Sequence, residues 1–358
     1  MAASPHASDS PAATRRPRLG LVLALWERAA SGTSREAWAR VVETTRGAER
    51  LGYDSVWLTE SWNRDPVTLL TALAGATERI GLGFGILNVF SRSPAVLANT
   101  AATLDELSGG RVILGIGAST PNVVAGWHGV KYSRPLARMR ETVEICRRIW
   151  RRERVNFRGE IFSLAGVRLG YAPLREAIPI HVAALRPKSL ELTGEIGDGW
   201  IPTLYPLDGI AAGRAHIARG AERAGRPAGA VEIRPGATVI VTDDPQQALQ
   251  AGKFGASIYI GPENSPYAAT AAELGYAEDV ARVTRIYRSG DHSGAIAAVS
   301  DRLARAFSIA GPLDFCRRRL DELRDAGVDA VNVSLPSVDP RVALPLLESL
   351  IAPGQTVP

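Results

Sequence analysis

The chain has 358 residues, 46% of them hydrophobic, and a formal net charge of +5. Its basic and acidic residues are interspersed, with no basic stripe that carries interleaved aromatics, so the composition argues against nucleic-acid binding. No apolar run approaches the roughly 20 residues that a membrane span needs. Cys146 and Cys316 stand in helical patterns without partners at metal-ligand spacing, so we expect a cytoplasmic protein without a metal site.

The chain begins with small, polar and proline-rich residues, and we expect 1–18 to be a disordered tail. Residues 19–351 are predicted to form one domain, and 352–358 a C-terminal tail. The apolar run Leu19–Trp26 follows two arginines, as in an export signal. That run is only about eight residues long and no small-x-small cleavage site follows it, so we expect it to be a buried first strand.

Predicted strands and helices alternate along the rest of the chain. After Leu19–Leu25, the predicted strands are Tyr53–Thr59, two within Gly81–Ser119, Ile178–Leu185, Gly199–Thr203, Val231–Thr242 and Ala330–Leu335. The predicted helices include Pro66–Glu78, Pro94–Leu107, Pro135–Arg152, Lys188–Ile196 and Pro340–Leu350. This alternation predicts an α/β fold, a (β/α)8 TIM barrel, with a β-hairpin at Val155–Leu169 and a helical insertion between strands seven and eight. The competing doubly wound sheet would need a G-x-G-x-x-G after strand one, which is missing.

Glycines recur on one face of the third predicted strand, at Gly81, Gly83 and Gly85. Glycine weakens a strand unless backbone or a ligand must come close to it. We therefore expect a flat group to lie against this strand.

The active site of such a barrel gathers at the carboxyl ends of its strands. Glu60 ends the second strand, where a partly desolvated carboxylate suits acid–base chemistry; a helix cap or a salt bridge is the alternative. Arg186 and Lys188 stand at the start of a predicted helix, which favours phosphate over ordinary surface basicity. His128 is placed to reach this end of the barrel, whereas His181 lies inside a strand and is predicted to be a core residue.

Three longer motifs resemble one known family. They are SRSPAVLA (Ser91–Ala98), TLDELSGGRVILGIGAS (Thr103–Ser119) and IPIHVAALRPKSLELTGEIGDGWIPT (Ile178–Thr203). From Leu19 to Leu350 the chain resembles the bacterial luciferase-like flavin-dependent oxidoreductases, in particular the deazaflavin branch around methylenetetrahydromethanopterin reductase. The resemblance implies coenzyme F420 as the cofactor, with FMN as the alternative. It also implies a small-molecule substrate and a homodimer that pairs through Pro66–Glu78 and Pro94–Leu107.

The resemblance also points to cofactor-binding positions. It implies a non-proline cis peptide between Gly85 and Ile86 behind the central ring, Asn88 near the ring edge, and a phosphate site in the segment after strand five. The predicted cofactor-binding residues are Gly85, Ile86, Asn88, Ser119, Thr120, Leu185, Arg186, Lys188, Ser189 and Thr203.

The chain departs from the family at positions that carry chemistry. Glu60 and Ser61 stand where many relatives have Asp-His, so the usual histidine acid is missing. Thr120 and Pro206 stand where the family's sugar-phosphate dehydrogenases have Glu and Lys, which argues against glucose 6-phosphate as substrate.

We therefore predict hydride transfer between the deazaflavin and a conjugated or heterocyclic organic molecule. Glu60 is the predicted acid, with Ser61 or His128 as a relay. The aromatic residues predicted to face the substrate are Trp26, Trp62 and Trp127. An FMN-dependent monooxygenase that uses oxygen and a non-catalytic flavin-binding protein are the alternatives.

Overall fold

The computed structural model describes residues 17–23, 34–61 and 64–351. Trp26 and Trp62 lie outside these residues, as do most of the two predicted tails. Arg18, which the sequence assigned to the N-terminal tail, opens the first strand instead, because its backbone N–H donates to the Asp329 carbonyl.

The strands in chain order are β1 (Arg18–Val22), β2 (Ser55–Leu58), β3 (Gly81–Phe84), β4 (Leu87–Asn88), β5 (Val112–Gly117), β6 (Val155–Arg158), β7 (Ser163–Val167), β8 (Ile180–Val182), β9 (Gly199–Trp200), β10 (Glu232–Ile233), β11 (Gly236–Val241), β12 (Ser308–Gly311) and β13 (Ala330–Ser334). The helices are α1 (Ser34–Arg50), α2 (Pro66–Ala74), α3 (Pro94–Leu107), α4 (Pro121–Gly126), α5 (Pro135–Trp150), α6 (Pro187–Ile196), α7 (Ile210–Arg223), α8 (Pro245–Ile260), α9 (Pro266–Ala271), α10 (Ala277–Arg288), α11 (His292–Ala298), α12 (Asp301–Phe307), α13 (Leu313–Asp325) and α14 (Pro340–Leu350). A 3-10 turn (Leu207–Gly209) and a π-helical segment (Ala272–Tyr276) complete the list.

The main sheet is parallel and curled. In it β1, β2, β3, β5, β8 and β9 follow one another, and the other neighbour of β1 is β13. β10 pairs with β9, and β11, two residues further along the same segment, pairs with β13. The series of neighbouring strands therefore runs from β1 to β9, continues through the segment of β10 and β11 to β13, and ends beside β1 again. The predicted alternation of parallel strands and helices is confirmed, and the carboxyl ends of the strands meet at one rim.

Two segments lie outside this ring. β6 and β7 pair in antiparallel fashion inside the predicted excursion Val155–Leu169. Between β11 and β13, helices α8 to α12 pack around a second hydrophobic core. The prediction missed β12 in this region, which pairs with Thr238–Val241 of β11. β12 begins directly after the last residue of α12, so the turn residues that usually mark the start of a strand are missing there.

Buried polar contacts explain the TLDELSGGR part of the second motif. The Asp105 carboxylate is fully buried, accepts from Val112 N at 3.1 Å and pairs with Arg175. The Arg111 guanidinium donates to three carbonyl groups at the end of α2 and before β3. Gly109 and Gly110 have φ of 69° and 88°, where glycine is favoured. These residues join α3 to β5.

The glycine face of β3 does contact a flat group, as expected, and this group belongs to the protein's own chain. A Cβ at Gly83 would overlap the indole of Trp57, and one at Gly85 would lie 3.5 Å from the same ring. Trp57 is 1% exposed. The flat group against this strand is therefore a side chain of β2.

A buried ion cluster fills the interior near the amino ends of the strands. Arg234 is 1% exposed, pairs with Asp54 and lies 2.8 Å from Glu232 Oε1. His181 Nε2 lies 3.4 Å from the other oxygen of Glu232. Burial, and after it the charge of Arg234, lowers the pKa of His181 to about 3. The imidazole is thus neutral and buried, which confirms the predicted core position of His181.

Candidate active site

The predicted site residues follow the carboxyl ends of β2, β4, β5, β8 and β9. In the described ranges, no three His, Cys, Asp or Glu side chains are grouped so that they could hold a metal ion. None of the helices in those ranges is both long and apolar enough to cross a membrane.

Glu60 is held at the end of β2 by several donors. Its Oε2 accepts from Asn88 N at 2.6 Å, and its Oε1 accepts from Ser91 Oγ at 3.1 Å. Arg92 Nε lies 3.4 Å from the same Oε1, and the Glu60 side chain is 10% exposed. Both carboxylate oxygens are therefore engaged. The alternative of a salt-bridged carboxylate is what the geometry shows, and the predicted acid role stays a prediction.

The segment between β3 and β4 has the backbone geometry that the resemblance implied. The Gly85–Ile86 peptide is cis. Thr59 Oγ1 donates to the Gly85 carbonyl at 2.8 Å, and the Glu60 backbone N–H donates to the Ile86 carbonyl at 3.1 Å. The end of β2 therefore holds this segment from one side.

Asn88 presents a buried side-chain donor that none of the described residues accepts from. It is 2% exposed, and its Oδ1 accepts from Phe90 N at 2.9 Å. Its Nδ2 is buried without a hydrogen-bond partner among the described residues. A buried donor of this kind costs free energy unless a ligand or water accepts from it. Asn88 thus fits its predicted position near a cofactor ring.

The start of α6 carries the predicted anion site. Arg186 Nη2 pairs with Glu273 Oε1 at 2.6 Å, while its Nη1 is buried without a partner in the described part of the chain. Lys188 is exposed. Ser189 Oγ is occupied by a local cap, accepting from Arg186 N at 3.1 Å and donating to Arg186 O at 2.8 Å. Leu185 is half-buried before this cap.

The other predicted residues surround the same rim. Ser119 and Thr203 are exposed, whereas Thr120 Oγ1 accepts from Val123 N at 3.4 Å and caps α4. Trp127 is 58% exposed and His128 is half-buried, both just past α4. Ser61 adjoins Glu60, so it comes from a different loop from His128.

Two residues that contact the site were not predicted from the sequence. Arg92 belongs to the SRSP motif but was not linked to Glu60, and Glu273 lies in the helical insertion, far along the chain from Arg186. A weak signal existed for Arg92, because the helix dipole disfavours a cation near the start of α3 and so favours a carboxylate beside it.

Several known proteins are similar to this chain in sequence or in structure. A family model described as luciferase-like monooxygenase matches residues 19–330. The chain is 35% identical to 5,10-methylenetetrahydromethanopterin reductase of Archaeoglobus fulgidus over 315 residues, which cover 86% of this chain and 92% of that protein. It is 27% identical to F420-dependent glucose-6-phosphate dehydrogenase of Rhodococcus erythropolis, with 87% and 92% covered. The coenzyme F420 dependent tetrahydromethanopterin reductase of Methanopyrus kandleri superposes with a TM-score of 0.80 at 23% identity over 94% of this chain and 98% of that one.

The matched region contains every part of the site. It runs from β1 to the first residue of β13 and includes Glu60, Asn88 and the start of α6. The solved reductase shares the fold, and the relatives are matched over nearly their whole lengths. The chain therefore belongs to the luciferase-like monooxygenase family of oxidoreductases.

Proposed function

We propose that the protein is a coenzyme F420-dependent oxidoreductase that transfers a hydride between the deazaflavin and a conjugated or heterocyclic organic molecule. The observation that carries the proposal is a pair of buried nitrogens at the carboxyl-end rim, Asn88 Nδ2 and Arg186 Nη1. Neither has a hydrogen-bond partner within the described ranges. An unmet buried donor costs about 1–3 kcal/mol, so a ligand with acceptors at both points stabilises the site.

A coenzyme with a ring system and a phosphate matches these two points. Arg186, Lys188 and the backbone N–H groups at the start of α6 would hold the phosphate. Ser189 contributes to that site by ordering the helix start, since its hydroxyl is already bonded to Arg186. Asn88 would donate to an acceptor at the ring edge. When bound, the deazaflavin supplies the carbon that carries the hydride.

The residues of the chain would orient the two reactants, exclude water and move one proton. Either Ser61 or His128 would relay that proton. Glu60 Oε2 accepts from Asn88 N and its Oε1 from Ser91 Oγ, and each oxygen keeps a further lone pair at which it could take up a proton. Trp127, exposed beside His128, would form part of the substrate surface together with Trp26 and Trp62.

The cofactor is tested by expressing the protein in a host that makes the deazaflavin. The purified protein should show the absorption band of the deazaflavin, and the apoprotein should bind coenzyme F420 in a fluorescence titration. A flavin band and preferential FMN binding would support the monooxygenase alternative. Binding of neither coenzyme would refute both enzymes and the flavin-binding alternative.

We also propose that the protein is a homodimer paired through α2 and α3. The exposed side chains of these helices include Thr68 and Ala72 on α2 and Val96 and Leu107 on α3, where the polar Asn99 and the charged Glu106 are exposed as well. Val96 is 49% exposed and Leu107 64% exposed. α2 contains no charged residue. Such a face suits close approach of a second copy.

A further inference from the structure

We propose that Glu60 is a positioning residue, which fixes Asn88 so that its Nδ2 donor is aimed at the bound coenzyme. The inference rests on the proposed coenzyme site, and it assigns the carboxylate a role that the sequence did not predict. It follows from the contacts of one short turn, Asn88–Ser91.

The Glu60 carboxylate contacts both ends of that turn. Oε2 accepts from the backbone N–H of Asn88 at 2.6 Å, and Oε1 lies 3.1 Å from the Ser91 hydroxyl, whose single hydrogen it shares with the Asn88 carbonyl at 3.0 Å. The turn is closed by Ser91 N, which donates to the Asn88 carbonyl at 3.2 Å. Because charge-assisted hydrogen bonds to a carboxylate are stronger than neutral ones, Glu60 determines where this turn lies.

The position of this turn also determines the direction of the Asn88 side-chain amide. Asn88 Oδ1 accepts from Phe90 N at 2.9 Å, within the same turn. The backbone N–H and the side-chain oxygen of Asn88 are thus both bonded, and Nδ2 is the part of the residue that remains for a ligand. A shift of the turn moves this donor with it.

Glu60 is also tied to the neighbouring helix starts. Arg92 Nε lies 3.4 Å from Glu60 Oε1, and Arg92 Nη2 donates to Asp65 Oδ1 at 3.0 Å. Asp65 caps α2 by accepting from Thr68 N at 2.8 Å. The carboxylate is therefore held between β2, the turn and two helices, as a positioning group requires.

A second carboxylate provides a matched control. Glu49 Oε1 accepts from three successive backbone N–H groups, those of residues 78 to 80, at 2.6–2.9 Å. It anchors the segment before β3, at the amino ends of the strands. Loss of either carboxylate removes bonds to backbone N–H, but only Glu60 lies beside the proposed ring site.

The test compares Glu60→Ala, Glu60→Gln and Glu49→Ala in the full-length protein. The readouts are the Kd for coenzyme F420 from fluorescence quenching, the absorption band of the bound coenzyme and the thermal midpoint. Glu60→Ala should weaken binding at least tenfold and shift the band. Glu60→Gln keeps an oxygen that can accept from Asn88 N, so it should restore the Kd to within threefold of wild type. Glu49→Ala should lower the thermal midpoint and leave the Kd and the band unchanged.

Several outcomes would overturn the positioning role. Wild-type affinity and band in Glu60→Ala would do so, and so would a Gln variant that binds as weakly as the Ala variant. Amide hydrogen exchange of Asn88 without coenzyme gives an independent test, since it should be at least tenfold faster in Glu60→Ala than in wild type. Unchanged exchange overturns the inference even if the coenzyme binds. Failure of the wild-type protein to bind coenzyme F420 refutes the proposed function instead.

Discussion

Because Arg186 and Glu273 form an ion pair, replacing one or the other should change the affinity for the coenzyme in opposite directions. Their side chains are 40% and 50% exposed, so the pair contributes at most about 1 kcal/mol to stability. Arg186→Ala should therefore leave the unfolding midpoint almost unchanged. It should weaken coenzyme binding by about 1–3 kcal/mol, or about 5- to 150-fold, because a charge-assisted hydrogen bond to phosphate is lost. Glu273→Gln should tighten binding, by up to about fivefold, because it frees Arg186 Nη2 and removes a negative charge beside the phosphate.

The assay is a fluorescence titration of the apoprotein with coenzyme F420 at low and high salt. The effects of both substitutions should shrink at high salt, because screening weakens interactions between exposed charges. Arg324→Ala is the control, since Arg324 pairs with Asp325 at the carboxyl end of α13, outside α6. Wild-type affinity in Arg186→Ala, or weaker binding in Glu273→Gln, would refute the assignment of the phosphate to this helix start.

Three further predictions concern stability and assembly. Arg234→Met removes the buried cation of the cluster and leaves Asp54 and Glu232, whose side chains are 21% and 19% exposed, paired with the exposed Arg18, so it should cost up to about 3 kcal/mol in urea unfolding. Arg18→Met, with its side chain 59% exposed, should cost under about 1 kcal/mol. The pKa of His181 is about 3, below its ordinary 6.5, so between these values the unfolded chain binds a proton that the folded protein does not. Stability should fall as pH drops below about 6.5, by up to about 1.4 kcal/mol per pH unit, and a His181→Asn profile parallel to wild type would contradict this. Val96→Arg should give a monomer in light scattering while Val342→Arg on α14 stays dimeric, and equal masses would argue against the α2–α3 interface.

Local signals were enough to predict several of the helices. α3 and α14 have the predicted bounds, and α2 and α5 begin at the predicted prolines. Each of these prolines occupies a first helical turn, where its missing N–H costs nothing. At α2 and α3 the preceding residue, Asp65 or Ser93, also caps the helix with its side chain. Starts of this kind depend on neighbours in sequence, so the chain itself displays them.

The contacts that define the site depend on distant neighbours instead. Glu60 stood out as a strand-end carboxylate, but its bonds go to Asn88 and Ser91, 28 and 31 residues away. The glycine run was correctly seen as room for a flat group, yet the group proved to be Trp57 of the adjacent strand. A periodic pattern shows that space is needed but does not show what fills it.

The unpaired buried polar atoms carry information about the ligand that no sequence pattern contains. Within the described residues, these atoms belong to Asn88, Arg92, Arg138, Thr142, His181 and Arg186. Four of these residues lie near the carboxyl-end rim: Asn88 ends β4, Arg92 precedes α3, Arg138 lies in the first turn of α5, and Arg186 precedes α6. Arg92 has its ion pair with Glu60, and the Arg138 guanidinium lies 4.6 Å from the centre of the Phe90 ring. Among the described residues at this rim, Asn88 Nδ2 and Arg186 Nη1 are therefore left without either kind of partner, and a ligand with an acceptor atom at each would satisfy them.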